Sequence, residues 1–146
     1  MVLIVATFRY KANGILIPFR DENGLIQGLQ IRNDNESTRK FRWFSSNDKL
    51  NGCSSKSHTH LVGNLNTDTI LLTEGGMKAD IINALSGKPV LAIAGVNCLP
   101  SLEKTLKILQ KKGIRHIQTA FDMDYLTNPN VSKAYNEMTK LVVKLG

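Results

Sequence analysis

From residue 69 onward, short apolar runs rich in β-branched residues alternate with longer stretches of helical apolar spacing, and this alternation limits the fold more than any other feature. TILLT (69–73), PVLAIAG (89–95) and IRHIQTAFD (114–122) read as strands. Between them, MKADIINALS (77–86) and LEKTLKILQKKG (102–113) repeat apolar residues at helical intervals, and Gly113 marks a stop. Residues 132–145 carry apolar side chains at positions 134, 138, 141 and 142, again at helical spacing. Such alternation implies a parallel sheet with right-handed crossovers and helices on its faces. The expected class is α/β.

Residues 1–66 have a different texture. VLIVAT (2–7), GILIPF (14–19) and LIQGLQIR (25–32) read as strands, and Asp21-Glu22-Asn23-Gly24 joins the last two in a hairpin. Phe41, Trp43 and Phe44 suggest one more short strand. Residues 45–66 are rich in Ser, Asn, Lys and Gly and read as a long loop, a length that usually signals function or mobility. The chain therefore divides into a β-rich subdomain at 1–66 and an α/β domain at 67–146. A length of 146 residues suits one domain with a small subdomain attached.

No apolar run approaches the roughly 20 residues that span a bilayer, so a membrane is not among the expected partners. The opening MVLIVATFRYK reads as a strand, not a signal peptide. Cys53 and Cys98 suggest no disulfide framework, and a reducing, cytoplasmic setting is the expectation. The 19 Lys and Arg residues outnumber the 12 Asp and Glu, for a net charge of +7. That balance favours a polyanionic partner.

In open α/β sheets, sites gather at the carboxyl ends of the strands. Thr73-Glu74-Gly75-Gly76 ends the first strand of the α/β stretch, and Phe121-Asp122-Met123-Asp124 ends the third. If the two strands are neighbours, three carboxylates converge. Oxygen ligands of this kind suit Mg²⁺ or Mn²⁺, ions that neutralise charge developing in phosphoryl transfer. The glycines after Glu74 would admit a phosphate or another backbone. The same residues also read as ordinary strand-end and helix-capping groups, and Glu74 with Lys78 as a surface pair on one helix.

TILLTEGGMKADIINAL, followed by AFDMD after one strand–helix unit, resembles a Toprim domain, the fold shared by bacterial primases, topoisomerases and certain nucleases. Its signature is Glu-Gly at the first strand end and Asp-x-Asp at the third, matched by Glu74-Gly75 and Asp122-Met123-Asp124. GILIPFRDENGLIQGLQIR and then KFRWFSS are similar to the region that precedes Toprim in bacterial primases. Together these blocks cover nearly the whole chain. The nearest likeness is to primase-like proteins of plasmids, phages and integrative elements.

The resemblance implies a catalytic set of Glu74, Asp122, Asp124 and Lys78, with the three carboxylates holding Mg²⁺ or Mn²⁺. It implies a nucleic-acid surface of Arg32, Lys40, Arg20 and Arg42, joined by Arg39. The implied activity is nucleotidyl transfer on a single-stranded DNA template from nucleoside triphosphates, with a helicase domain or protein as a further partner. A Toprim nuclease, or a catalytically degenerate nucleic-acid-binding module, is the alternative. Bacterial primases usually carry Asp where Lys78 stands, Gly where Met123 stands, and Ala-Gly in place of Tyr125-Leu126. The Toprim stretch is expected to be truncated at its carboxyl end.

Weaker signals read as structure. Cys53, His58 and His60 do not match the spacing of a closed four-ligand zinc site. Ser86-Gly87-Lys88 lacks the remaining residues of a phosphate loop and reads as a helix stop. Cys98 reads as a small buried residue. Trp43 is open to two readings, a base-stacking surface or a packed side chain.

Overall fold

The computed structural model describes residues 13–35, 39–95, 98–122 and 126–145. The expected strand at 2–7 lies outside them, as do Met123, Asp124 and Tyr125. Seven strands and three helices follow in the described residues: β1 (Gly14–Arg20), β2 (Ile26–Asn33), β3 (Phe41–Trp43), β4 (Thr59–Val62), β5 (Thr69–Glu74), α1 (Gly76–Ser86), β6 (Val90–Ile93), α2 (Leu99–Lys111), β7 (His116–Thr119) and α3 (Pro129–Leu145).

β1, β2 and β3 form an antiparallel sheet in that order. The turn between β1 and β2 is built by Asp21, whose Oδ1 accepts hydrogen bonds from the backbone N–H groups of Asn23 and Leu25, each at 2.9 Å. Gly24 takes the left-handed conformation there, with φ 79°.

The second sheet has the order β4-β6-β5-β7. β5 is parallel to β6 and β7, whereas β4 runs antiparallel to β6. The sheet is therefore mixed, which corrects the all-parallel expectation. It also corrects the reading of 45–66 as one loop. β4 hides in that polar stretch because two of its inward groups, Thr59 and His60, are themselves polar. Each finds a specific partner: Thr59 Oγ1 lies 2.8 Å from Thr105 Oγ1, and His60 is held as described below. Satisfied in this way, they bury at little cost.

Successive side chains of β6 face opposite ways, and all four are buried. Leu91 and Ile93, with Ile70 and Leu72 of β5, pack on Leu102, Leu106 and Leu109 of α2 and on Met138 of α3. Val90 and Ala92 face the other way, onto Ala79 and Ile82 of α1. Helices thus flank both faces of an α/β sheet. No helix among the described residues is long and apolar enough to cross a membrane.

The first sheet docks on α1 and β4. Ile17 and Phe19 approach Gly76, where a Cβ would stand 3.1 Å from the Phe19 ring. Phe19 lies edge-on to Trp43 at 4.7 Å and to His60 at 5.5 Å between ring centroids. Trp43 in turn meets His58 edge-on at 5.8 Å, which favours the packed reading of the tryptophan.

His60 ties three elements together. Its fully buried ring accepts the Arg20 backbone N–H at Nδ1, 3.0 Å away. The ring proton must therefore sit on Nε2, which donates to Asp80 Oδ1 at 3.0 Å. Burial holds the His60 pKa below its ordinary value of 6.5, against the opposing pull of Asp80. Because the unfolded chain accepts a proton that the folded chain resists, this group's stabilisation is complete above about pH 6.5 and is lost as the pH falls below it. Urea midpoints measured from pH 8 down to pH 5 should fall across that window, and less steeply in His60→Gln. Equal slopes for both proteins would contradict the assignment.

Candidate functional site

The carboxyl edge of the second sheet is assembled by the pairing of β5 with both neighbours. The Gly75 N–H donates to Ile93 O on one side at 2.8 Å. On the other, the Ala120 N–H donates to Leu72 O at 2.8 Å, and Thr73 Oγ1 donates to Ala120 O at 2.7 Å. Thr73 is wholly buried, so its hydroxyl extends the β5–β7 pairing one residue past the strand. These bonds set Glu74 at the end of β5, beside the chain that leaves β7. β7 ends at Thr119, so the third strand is shorter than the 114–122 read from sequence, and Asp122 lies beyond it in the following segment. Asp124 lies outside the described residues.

Immediately after Glu74, Gly75 turns the chain into α1 with φ 83° and ψ 127°. Having no side chain, Gly75 gives the helix no cap, and the first turn of α1 carries no acidic residue. The amino end of α1, with its partial positive charge, therefore follows directly on Glu74. A Cβ at Gly75 would meet nothing within 4 Å, whereas Gly76 is crowded by Ile17 and Phe19. The second glycine thus makes room for the first sheet.

Lys78, in the first turn of α1, reaches across to Asp122, with Nζ 2.7 Å from Oδ2. The two side chains are 38% and 68% exposed. An exposed pair of this kind contributes only about 0.2–1 kcal/mol to stability. Its importance lies in charge: an ammonium occupies one carboxylate oxygen of the acidic edge.

The four cations expected to face nucleic acid do not form one patch. Arg32 and Lys40, with Ile15, Asn33 and Asp34, line a hollow of about 420 Å³ on the first sheet. Arg42 pairs with Ile31, one residue along β3 from Phe41, so it projects from the opposite face. Arg20 lines a separate cleft of about 440 Å³ with Lys56, Lys104 and Ser101, between the first sheet and α2.

Among the described residues, no three His, Cys, Asp or Glu side chains gather closely enough to hold a metal ion. Cys53 is exposed, and His58 and His60 are engaged in packing. Cys98 is buried, its Sγ 2.7 Å from Ser57 Oγ. Gly87 caps α1 in the left-handed conformation, with its N–H donating to Asn83 O, so Ser86-Gly87-Lys88 is a helix stop.

Fold and edge together define an α/β domain with Glu74 at the end of one strand and a Lys78–Asp122 pair beside it, next to a small antiparallel sheet. No protein-family model matches the chain, and no curated protein matches it.

Proposed function

We propose that the chain is a Toprim-type domain of the primase kind, transferring nucleotides on a single-stranded DNA template during replication of a plasmid, phage or integrative element. The observation that supports this reading is Glu74 at the end of β5, followed at once by α1, whose Lys78 meets Asp122 just beyond β7. As donors, the two carboxylates fit a hard cation, and the exposure of Asp122 leaves room for the waters that Mg²⁺ retains. Glu74, Asp122 and Asp124 would hold Mg²⁺ or Mn²⁺, which would offset phosphate charge as a 3′ hydroxyl loses its proton and displaces pyrophosphate from the α-phosphorus of a nucleoside triphosphate. Glu74 takes the part of general base or ligand. Lys78 orients Asp122, and Arg32 and Lys40 hold phosphates of template or nucleotide. A helicase domain or protein would be the natural partner.

The contact of Lys78 with Asp122 favours a second reading, in which the ammonium stands permanently where a metal would bind and the domain binds nucleic acid without turnover. Primer synthesis from labelled nucleoside triphosphates on single-stranded DNA, beside nicking of supercoiled plasmid, separates these readings. Product that needs both template and nucleotides supports the proposal. Nicking without nucleotides means a nuclease, and DNA binding without product means the binding module. Lys78→Met removes the competing cation and should raise Mn²⁺ affinity several-fold, about the worth of an exposed ion pair. Calorimetric titration checks this, and unchanged affinity would place the ion away from Asp122.

A further inference from the structure

Ile15, Arg32 and Phe41 form a single cross-strand row in the first sheet, Ile15 pairing with Arg32 and Arg32 with Phe41. Side chains paired in this way share a face. One row inward, Ile17, Gln30 and Trp43 continue that face, and there Ile17 and Gln30 are buried. The same face is thus core at one end and open at the other, where Ile15 is 51% and Phe41 41% exposed. Cations flank the open aromatic ring. Arg32 is its cross-strand neighbour, and Lys40 Nζ lies 5.9 Å from the Phe41 centroid. That distance is near the outer limit of a cation–π contact, so the ammonium is easily drawn to a stronger partner. The adjoining hollow of about 420 Å³ falls within the range of small-ligand pockets. With Arg32 and Lys40 set against Asp34, it keeps a net positive charge.

We propose that Phe41 is a stacking platform for an unpaired base of a single-stranded nucleic acid, with Arg32 and Lys40 holding the phosphates on either side of that base. Every base has a π-face, so an exposed ring bordered by cations binds single strands without sequence preference. Bases within a duplex are already stacked and cannot reach it. Phe19 and Trp43, the further aromatic side chains on this face among the described residues, are packed: Phe19 is fully buried, and Trp43 is held edge-on by Phe19 and His58. The proposal rests on the nucleic-acid reading above and extends it from charge to base contact.

The test is fluorescence anisotropy of a labelled oligodeoxythymidine bound to the full chain, with a chelator present so that the acidic edge plays no part. Phe41→Leu should weaken binding about tenfold to a hundredfold, the range for losing one stacked base, and Phe41→Trp should retain it. An oligomer of the same length with abasic sites should bind the wild type and Phe41→Leu equally weakly. The proposal is overturned if the wild type fails to bind the oligomer or binds intact and abasic oligomers alike. Equal affinity of Phe41→Leu and wild type for the intact oligomer overturns it too. Failure of the metal-dependent reading is seen separately, because divalent-ion binding is measured without DNA.

Discussion

Phe19→Ala should destabilise the protein by about 3–5 kcal/mol, the range for truncating a fully buried phenylalanine. No part of Phe19 is exposed, and it sits where the two sheets meet. Its ring contacts Trp43 of β3 and His60 of β4, and presses on the backbone of α1 at Gly76. Alanine would leave a cavity that these three elements cannot close without moving the first sheet. Against a typical total of about 5–15 kcal/mol, that loss is a large share of the stability. Trp43 is the only tryptophan in the chain and lies against the altered site, so its fluorescence in a urea titration reports the change directly. A shift below about 1 kcal/mol would mean that the first sheet does not depend on this packing. It would also detach Arg32 and Phe41 from any fixed position relative to the acidic edge.

Asp122→Asn should leave stability nearly unchanged, yet lower nucleotidyl transfer on the order of 10²–10³-fold, the loss typical when one electrostatic partner of a transition state is removed. The substitution preserves shape and removes a charge. Asp122 is 68% exposed and its pairing with Lys78 lies at the surface, so folding depends little on that charge. On the proposed function catalysis would depend on it strongly, because an amide is a poor ligand for Mg²⁺ and Lys78 would be left as an uncompensated cation. Asp68, at the opposite end of β5 and 63% exposed, is the control, and Asp68→Asn should retain full activity. Equal activity in both variants would remove Asp122 from the mechanism.

The hairpin of β1 and β2 was legible in the sequence because Asp21 and the Asn-Gly pair specify its turn chemistry locally. The strand–helix alternation after residue 69 was legible because burial on both sides of the sheet leaves apolar runs in β5 and β6. Helix starts were read late: α2 begins at Leu99 and α3 at Pro129, each with a proline in its first turn that a period-based reading passes over. β4 was missed because Thr59 and His60 are polar residues whose partners, Thr105, Asp80 and the Arg20 backbone, are far away in sequence. Glu74 could be named from its strand end, whereas the third strand was read three residues too far, to Asp122; that β5 and β7 are neighbours depends on the order β6-β5-β7, which alternation alone does not fix. The Lys78–Asp122 pair spans 44 positions and had no local signal. Phe41 was overlooked beside Trp43, since only the burial pattern tells which aromatic side chain remains open.

Calorimetric titration of Mn²⁺ into the wild type and an Asp122→Ala/Asp124→Ala variant shows whether Glu74, Asp122 and Asp124 bind a divalent cation. Saturable binding to the wild type that disappears in the folded variant is the expected result. No binding to the wild type, or equal binding to both proteins, would contradict it.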